Sequence, residues 1–386
     1  MDPASNQAQD AAGQVLAIAC GGTGGHFFPG VAVGRAFKER GGDVVMFIGG
    51  HNVEAQIKLA ESAGLRAVHS PALRIPQNKL TLPIFALRFL AAIIANARLL
   101  RREGAAIGLT MGSFASAPMG LGIKLLGRPL VVHDANAVLG RANRLLRRVA
   151  DHVCLGLPVE TLLGALDTSI VGLPVREAVV AASNPLSDEA RLALFQDLDL
   201  NPDLPVLMIF GGSLGARHLN ETVLSALPGL AEQDLQLVML TGADDNSALI
   251  DGCKEHGVPA QIHTRRESIE KLYAVADFVI CRAGGSTIAE LAIMGRAAVF
   301  VPYPQATDNH QHANAMALVT RQAGVLLDQK ELDAERFLSL VREILSDPEK
   351  RIALGHRIKS LARPHAASDI VDILLCETQI GDTCPS

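Results

Sequence analysis

The small residues at 283–287, AGGST, interrupt an apolar run at 277–281 and precede Ala289, Leu291, Ala292 and Met294, which have helical spacing. A helix is expected to start there, with Ser286 and Thr287 in the cap region and Gly295 as its stop. Open backbone N–H groups at such a start, together with the helix dipole, favour a diphosphate. Glu290 falls in the first turns, and an ionised carboxylate offers two acceptor oxygens to the two donors of a ribose diol. A lone Glu on a helix is usually a solvated acid; the glycine turn directly before this one sets it apart. After the next apolar run, at 297–303, the side chains of Asp308, Asn309, His310, Gln311 and Asn314 suit sugar hydroxyls, or else make a solvated loop.

A second glycine-rich stretch, GGTGGHFFPG at 21–30, follows the apolar run VLAIAC and precedes the helical spacing of Val31, Val33, Ala36 and Phe37. Thr23, Gly24 and Gly25 allow the backbone to approach a phosphate. His26 then stands at a strand's carboxyl edge, where open α/β sheets bind ligands; a capping or packing role is the plain alternative. The spacing is not GxGxxG, and the run at 44–50 ends without the acid that would hold a ribose, so a nicotinamide dinucleotide is not expected.

The elements that must position these residues repeat along the chain. Apolar runs at 107–111, 130–133 and 206–210 end in GSFASAP, Asp134-Ala135-Asn136 and GGSLGA, so the class is α/β with parallel sheets. A length of 386 residues, 49% hydrophobic and 19% charged, supports two domains with sizeable cores. Six scattered cysteines without a CxxC pair indicate free thiols in a reducing compartment and imply no metal. The first thirteen residues lack a basic n-region, so a secretory signal is not expected and the protein is expected to stay inside the cell.

Charge is unevenly spread. The net charge is −5, yet residues 70–150 carry twelve Lys and Arg against only Glu103 and Asp134. That region faces a negative partner, with nucleic acid, a phosphorylated lipid or an anionic membrane all open on charge alone. Within it, KLTLPIFALRFLAAIIANARLLRR at 79–102 reads as too interrupted to span a bilayer and as an amphipathic helix whose apolar part, rimmed by Arg and Lys, can lie in a membrane interface.

Taken in order, GGTGGHFFPG, TMGSFASAP, HDAN, GLPVR, GGSLGA and CRAGGSTIAELAIMGRAAVFVPYPQATDNHQHANA resemble the MurG family, the N-acetylglucosaminyltransferases that act on a lipid-linked muramyl pentapeptide; the likeness covers most of residues 15–365. The resemblance implies the GT-B architecture, two facing Rossmann-like domains with a deep cleft between them. The expected bounds are 1–175 for an acceptor and membrane-side domain and 176–363 for a UDP-GlcNAc domain, with a C-terminal helix, 364–386, packing back on the first. It implies no cofactor and no obligatory metal. The expected partners are UDP-GlcNAc, the undecaprenyl-linked acceptor (lipid I), an anionic membrane surface and other cell-wall enzymes, without nucleic acid, at the cytoplasmic face of the bacterial inner membrane.

By position, the resemblance puts Arg176, Ser213 and the turn formed by Gly285, Ser286, Thr287, Ile288, Ala289 and Glu290 around the uridine diphosphate, with Arg266 beside the uracil. His310 and Gln311 match a pair that holds the sugar, and Asn136 a sugar contact from the other domain. Three departures stand out: Phe114 replaces an aromatic hydroxyl, His310 stands where relatives have Gln, and GLP replaces GNP before Arg176. Attack by the muramyl 4-hydroxyl on the anomeric carbon needs a base, His26 first and Asp134 second. A GT-B enzyme with another acceptor, a nucleotide-sugar epimerase and a non-catalytic binding protein are the competing readings.

Overall fold

Apolar runs without a polar alternation form strands buried on both faces, which is the pattern of a parallel sheet covered by helices. A computed structural model describes residues 10–382, apart from 22–23, 51, 74–75, 77, 79–80, 163–166, 213–216, 243–245 and 267. The chain divides into two compact units, residues 1–176 with 363–386, and residues 177–362.

Unit 1 begins β1 (Val15–Gly21), α1 (Gly24–Glu39), β2 (Asp43–Gly49), α2 (Val53–Ser62), β3 (Arg66–His69) and α3 (Leu82–Arg102). It continues with β4 (Ile107–Thr110), α4 (Ala117–Leu125), β5 (Leu130–Asp134), α5 (Arg141–Leu146), β6 (His152–Leu155) and β7 (Thr168–Ile170). The seven strands are parallel in the order β3-β2-β1-β4-β5-β6-β7, so the order reverses between β1 and β4.

Unit 2 opens with α6 (Glu177–Ala182), α7 (Asp188–Asp197), β8 (Val206–Phe210), α8 (Arg217–Leu230), β9 (Gln236–Leu240), α9 (Ser247–His256) and β10 (Ala260–His263). There follow α10 (Ile269–Val275), β11 (Phe278–Cys281), α11 (Gly285–Met294), β12 (Ala297–Phe300), α12 (His310–Val319), β13 (Val325–Leu326), α13 (Ala334–Ser346) and α14 (Pro348–Lys359). Its order is β10-β9-β8-β11-β12-β13, reversing between β8 and β11. The last helix, α15 (Ala366–Asp382), buries Ile370, Val371, Leu374 and Leu375 in the unit 1 core with Phe37 of α1 and Cys154 of β6. Among the described residues Cys20, Cys154, Cys253 and Cys281 are buried free thiols, and burial pushes that of Cys20 up to about 12.

Four local expectations change. Helix α1 starts at Gly24, so His26 rides on its first turn and not in a loop; glycine is tolerated there because first-turn amides lack intrahelical partners in any case. The cap of α11 is Gly284, and Ser286 and Thr287 are helical. His310, Gln311 and Asn314 lie on α12, entered through Asp308 and Asn309 at φ 52° and 54°. Finally, α3 is unbroken over 21 residues, about 32 Å, and is long and apolar enough to cross a membrane by length and composition. The supposed interruptions are accounted for: Pro83 stands in the first turn, where no N–H is needed, and Asn96 is buried and donates to Pro71 O (3.0 Å) and Ala92 O (2.9 Å).

Candidate active site

In an open parallel sheet, ligands bind beyond the carboxyl ends of the strands where the strand order reverses. Unit 2 has that point between β8 and β11. The chain leaves β11 through Arg282, Ala283 and Gly284 and enters α11, whose first ladder bond is Ile288 N to Gly284 O at 3.0 Å. The amides of Gly285, Ser286 and Thr287 thus have no carbonyl one turn back and remain for an anion. Gly284 has an ordinary extended conformation (φ −71°, ψ 144°), and among the described residues a methyl group there would meet only Thr287 Oγ1, at 3.7 Å.

One turn on, Glu290 is half-buried, and the hydroxyl of the wholly buried Tyr273 on α10 donates to its Oε2 at 2.9 Å. This fixes the carboxylate against the α11 stem. Arg282 is 5% exposed, donates to Val301 O (3.1 Å) and Pro302 O (3.3 Å), and lies 5.5 Å from the ring centre of Tyr303. Among the described residues it has no carboxylate partner, and burial pulls its pKa below the ordinary guanidinium value. A guanidinium so held adds positive charge at the turn.

The β12–α12 connection is tied to the same turn. Asn314 donates to Ala283 O (2.9 Å), and the buried Gln311 accepts from Tyr303 N (2.9 Å) through Oε1. His310 Nδ1 lies 2.8 Å from Thr307 O; since a carbonyl only accepts, Nδ1 carries the proton. Arg266, beyond β10, approaches His263 Nε2 at 3.2 Å, and burial followed by the neighbouring Arg266 lowers the pKa of that histidine. Ser213 lies outside the described residues, and Arg176 is the last residue of unit 1 before the boundary.

Unit 1 has its reversal between β1 and β4. Thr23 lies outside the described residues; Gly24 and Gly25 open α1, and His26 packs against the turn after β4. A Cβ on Gly112, which has φ +91°, would stand 2.9 Å from His26 Cδ2 and 3.1 Å from Nε2, so that glycine yields its space to the imidazole. At the end of β5, Asp134 is 3% exposed with both oxygens engaged. Oδ1 accepts from Asn136 N (3.1 Å) and Nδ2 (3.3 Å), and Oδ2 accepts from Gly140 N (2.7 Å) and Asn143 Nδ2 (2.9 Å). A carboxylate serving four donors of its own loop is arranged to hold Asn136 and Asn143, with no oxygen left over to take a substrate proton. Its neighbour His133 is completely buried and donates from Nε2 to Gly172 O at 2.8 Å. Burial pushes its pKa down, and its buried Nδ1 has no partner among the described residues.

Against known proteins, residues 206–370 match the glycosyltransferase family 28 C-terminal domain and residues 16–155 the glycosyltransferase family 28 N-terminal domain. The chain belongs to glycosyltransferase family 28. Two curated relatives are named UDP-N-acetylglucosamine--N-acetylmuramyl-(pentapeptide) pyrophosphoryl-undecaprenol N-acetylglucosamine transferase. One, from Geobacter sulfurreducens, is 32% identical over 94% of this chain and 99% of its own; the other, from Aromatoleum aromaticum, is 38% identical over 94% and 97%. The crystal structure of MurG from Acinetobacter baumannii superposes with a TM-score of 0.75 at 27% identity, covering 94% of this chain and 98% of the other. Two parallel sheets of seven and six strands are the architecture expected of such a glycosyltransferase.

Residue spacing had pointed to the α11 turn, Glu290, His26 and Asp134, and not to their supports. Tyr273, Arg282, His133 and Asn143 act through contacts between distant segments. Arg282 alone carried a local signal, a charged residue inside an apolar strand end.

Proposed function

We propose that this protein transfers N-acetylglucosamine from UDP-GlcNAc to the 4-hydroxyl of the muramyl residue of lipid I, with inversion at the anomeric carbon, giving lipid II for peptidoglycan. The observation that carries this reading is the pairing of near full-length identity to transferases of that name with an open, amide-lined turn followed by a buttressed Glu290. In it, the amides of Gly285, Ser286 and Thr287 receive the diphosphate and Arg282 lends charge to the leaving group as the glycosidic bond breaks. Glu290 accepts from the ribose, with Arg266 near the base, while His310 and Gln311 serve the sugar. His26 takes the proton of the attacking hydroxyl, and Asp134 acts on the acceptor side by fixing Asn136. Transfer of labelled GlcNAc to a short-chain lipid I tests the reading. Transfer only to a soluble aglycone, or none to either, defeats it.

The acceptor's lipid is met at the membrane by α3. One of its faces packs on α4, where Gly122 comes close to Ile93 O and Ala97 N, and spanning a bilayer would tear Asn96 from its partners. The other face exposes Leu82, Ile84, Leu87, Leu90 and Ile94, with Leu87 at 70%, beside exposed Arg88, Arg98, Arg101 and Arg102. Phe85 and Phe89 stack near Phe114, each 5.7 Å from the next ring, stiffening the patch. This supports peripheral attachment to the cytoplasmic leaflet, at about 1 kcal/mol per basic residue and roughly 1.5–3 kcal/mol per fully buried Leu. Arg88, Arg98 and Arg101 changed together to Glu are expected to release the protein from anionic vesicles at low salt, and Leu87→Ser to weaken binding even at high salt. A parent protein that does not sediment with anionic vesicles refutes the attachment.

A further inference from the structure

Unit 2 holds a second concavity at the opposite sheet edge, where β11 and β12 begin. Its volume is about 530 Å³, within the range of small-molecule sites, and its walls include Arg191, Arg296, Arg351 and Lys359. The α11 helix links the two places. Gly285 opens the donor turn, whereas Met294 and Gly295, ten residues and about 15 Å further, line this cavity.

Three of the four cations are held by uncharged groups. Arg296 donates to Ala274 O (2.9 Å) and Ala276 O (3.0 Å), and its buried Nε has no partner among the described residues. Arg351 donates to Ile344 O and Leu345 O, both at 2.9 Å, and Arg191 sits 4.5 Å from the Phe195 ring centre. Among the described residues none of the four lies in an ion pair. Among the described residues the one acidic lining residue is Asp277, whose Oδ2 accepts from Val206 N at 2.8 Å and whose charge acts on Arg296, and His356 adds a further ring that can charge at low pH. Four like charges around one concavity, set against the single carboxylate of Asp277, raise its potential, and a compact polyanion relieves it.

We propose that this cavity binds a small phosphorylated molecule. A phosphate or diphosphate concentrates charge and acceptor oxygens in a volume these guanidinium groups can surround, whereas an acidic peptide needs an extended groove. Leu186 and Ile352 on the walls, 45% and 59% exposed, suit an apolar portion of the same ligand. The inference does not rest on the donor reading, since it uses none of the residues of the α11 turn.

Calorimetry of the full chain with inorganic pyrophosphate, in saturating UDP to fill the donor turn, tests it. One pyrophosphate is expected to bind, at least tenfold more weakly to the Arg191→Glu/Lys359→Glu double variant, which changes two exposed side chains and leaves UDP binding intact. An amide resonance of Gly295 that moves on adding pyrophosphate to the parent protein reports the same site without mutation. Absence of binding at millimolar pyrophosphate, equal binding by the double variant, an unmoved Gly295 resonance, or preference for a poly-glutamate peptide each overturns the proposal.

Discussion

The turns after β11 and β4 each carry a glycine, but the space that glycine leaves is used differently. At α11 a methyl on Gly284 would find, among the described residues, only Thr287 Oγ1 at 3.7 Å, beside three amides without ladder partners. Near α1 the vacancy left by Gly112 is taken by the imidazole of His26, 2.9 Å from where a Cβ would stand. One turn admits a ligand's oxygens to the backbone, and the other seats a side chain. In the proposed reaction the difference separates binding by fixed dipoles at the α11 turn from chemistry by a titratable group seated on the turn after β4.

The strongest way to break this comparison is to remove the seated side chain. His26→Ala is expected to lower kcat by about 10²–10⁴ while leaving UDP affinity nearly unchanged in calorimetry. A large loss of UDP affinity would move His26 to the donor side and erase the distinction. Next comes Glu290→Ala, for which loss of a charge-assisted hydrogen bond to the ribose costs on the order of 1.5–3 kcal/mol, seen as a raised KM for UDP-GlcNAc. UDP bound as tightly as by the parent would sink the ribose assignment.

The two glycines sharpen the same point at smaller cost. Gly112→Ala meets both φ +91° and the His26 ring, and is expected to destabilise by about 1–3 kcal/mol in denaturant unfolding. Gly284→Ala has no strain to meet and is expected to stay within about 0.5 kcal/mol of the parent in stability while weakening UDP binding. Equal destabilisation by both would mean that the vacancies are alike.

Much of this contrast was legible in the sequence and some was not. Strands buried on both faces are nearly all apolar, so the parallel sheets and their glycine endings can be read directly. Helix starts are harder. Gly24, Gly25 and Pro29 read as loop, although the first turns of α1 hold all three. The role of Asp134 had a local signal in Asn136 two residues on, an Asx-type pattern that predicts an occupied carboxylate. The Tyr273 bond to Glu290, between different helices, has no counterpart in spacing. Likewise, the polar residues that made 308–314 look like a loop face inward in part, with Gln311 Oε1 and Asn314 Nδ2 bonded to backbone groups of neighbouring segments.

The smallest effect concerns the support behind the seated side chain. His133 is completely buried, its Nε2 proton is given to Gly172 O, and desolvation, with His26 nearby, holds its pKa below the ordinary value of 6.5. The folded state therefore keeps it neutral, while the unfolded chain protonates near 6.5. Stability from this residue is full above that pH and is lost as pH falls below it toward the folded value, because the unfolded state then binds more protons. The melting temperature is expected to fall between pH 7 and pH 5, and His133→Asn, though less stable throughout for want of the Gly172 bond, is expected to fall less steeply. Asp134 and His26 also face this position in both proteins, so the difference in slope, and not the slope itself, measures His133. Identical slopes would show that the buried imidazole takes up its proton in the folded state as readily as in the unfolded one, leaving the seat of His26 with no neutral support.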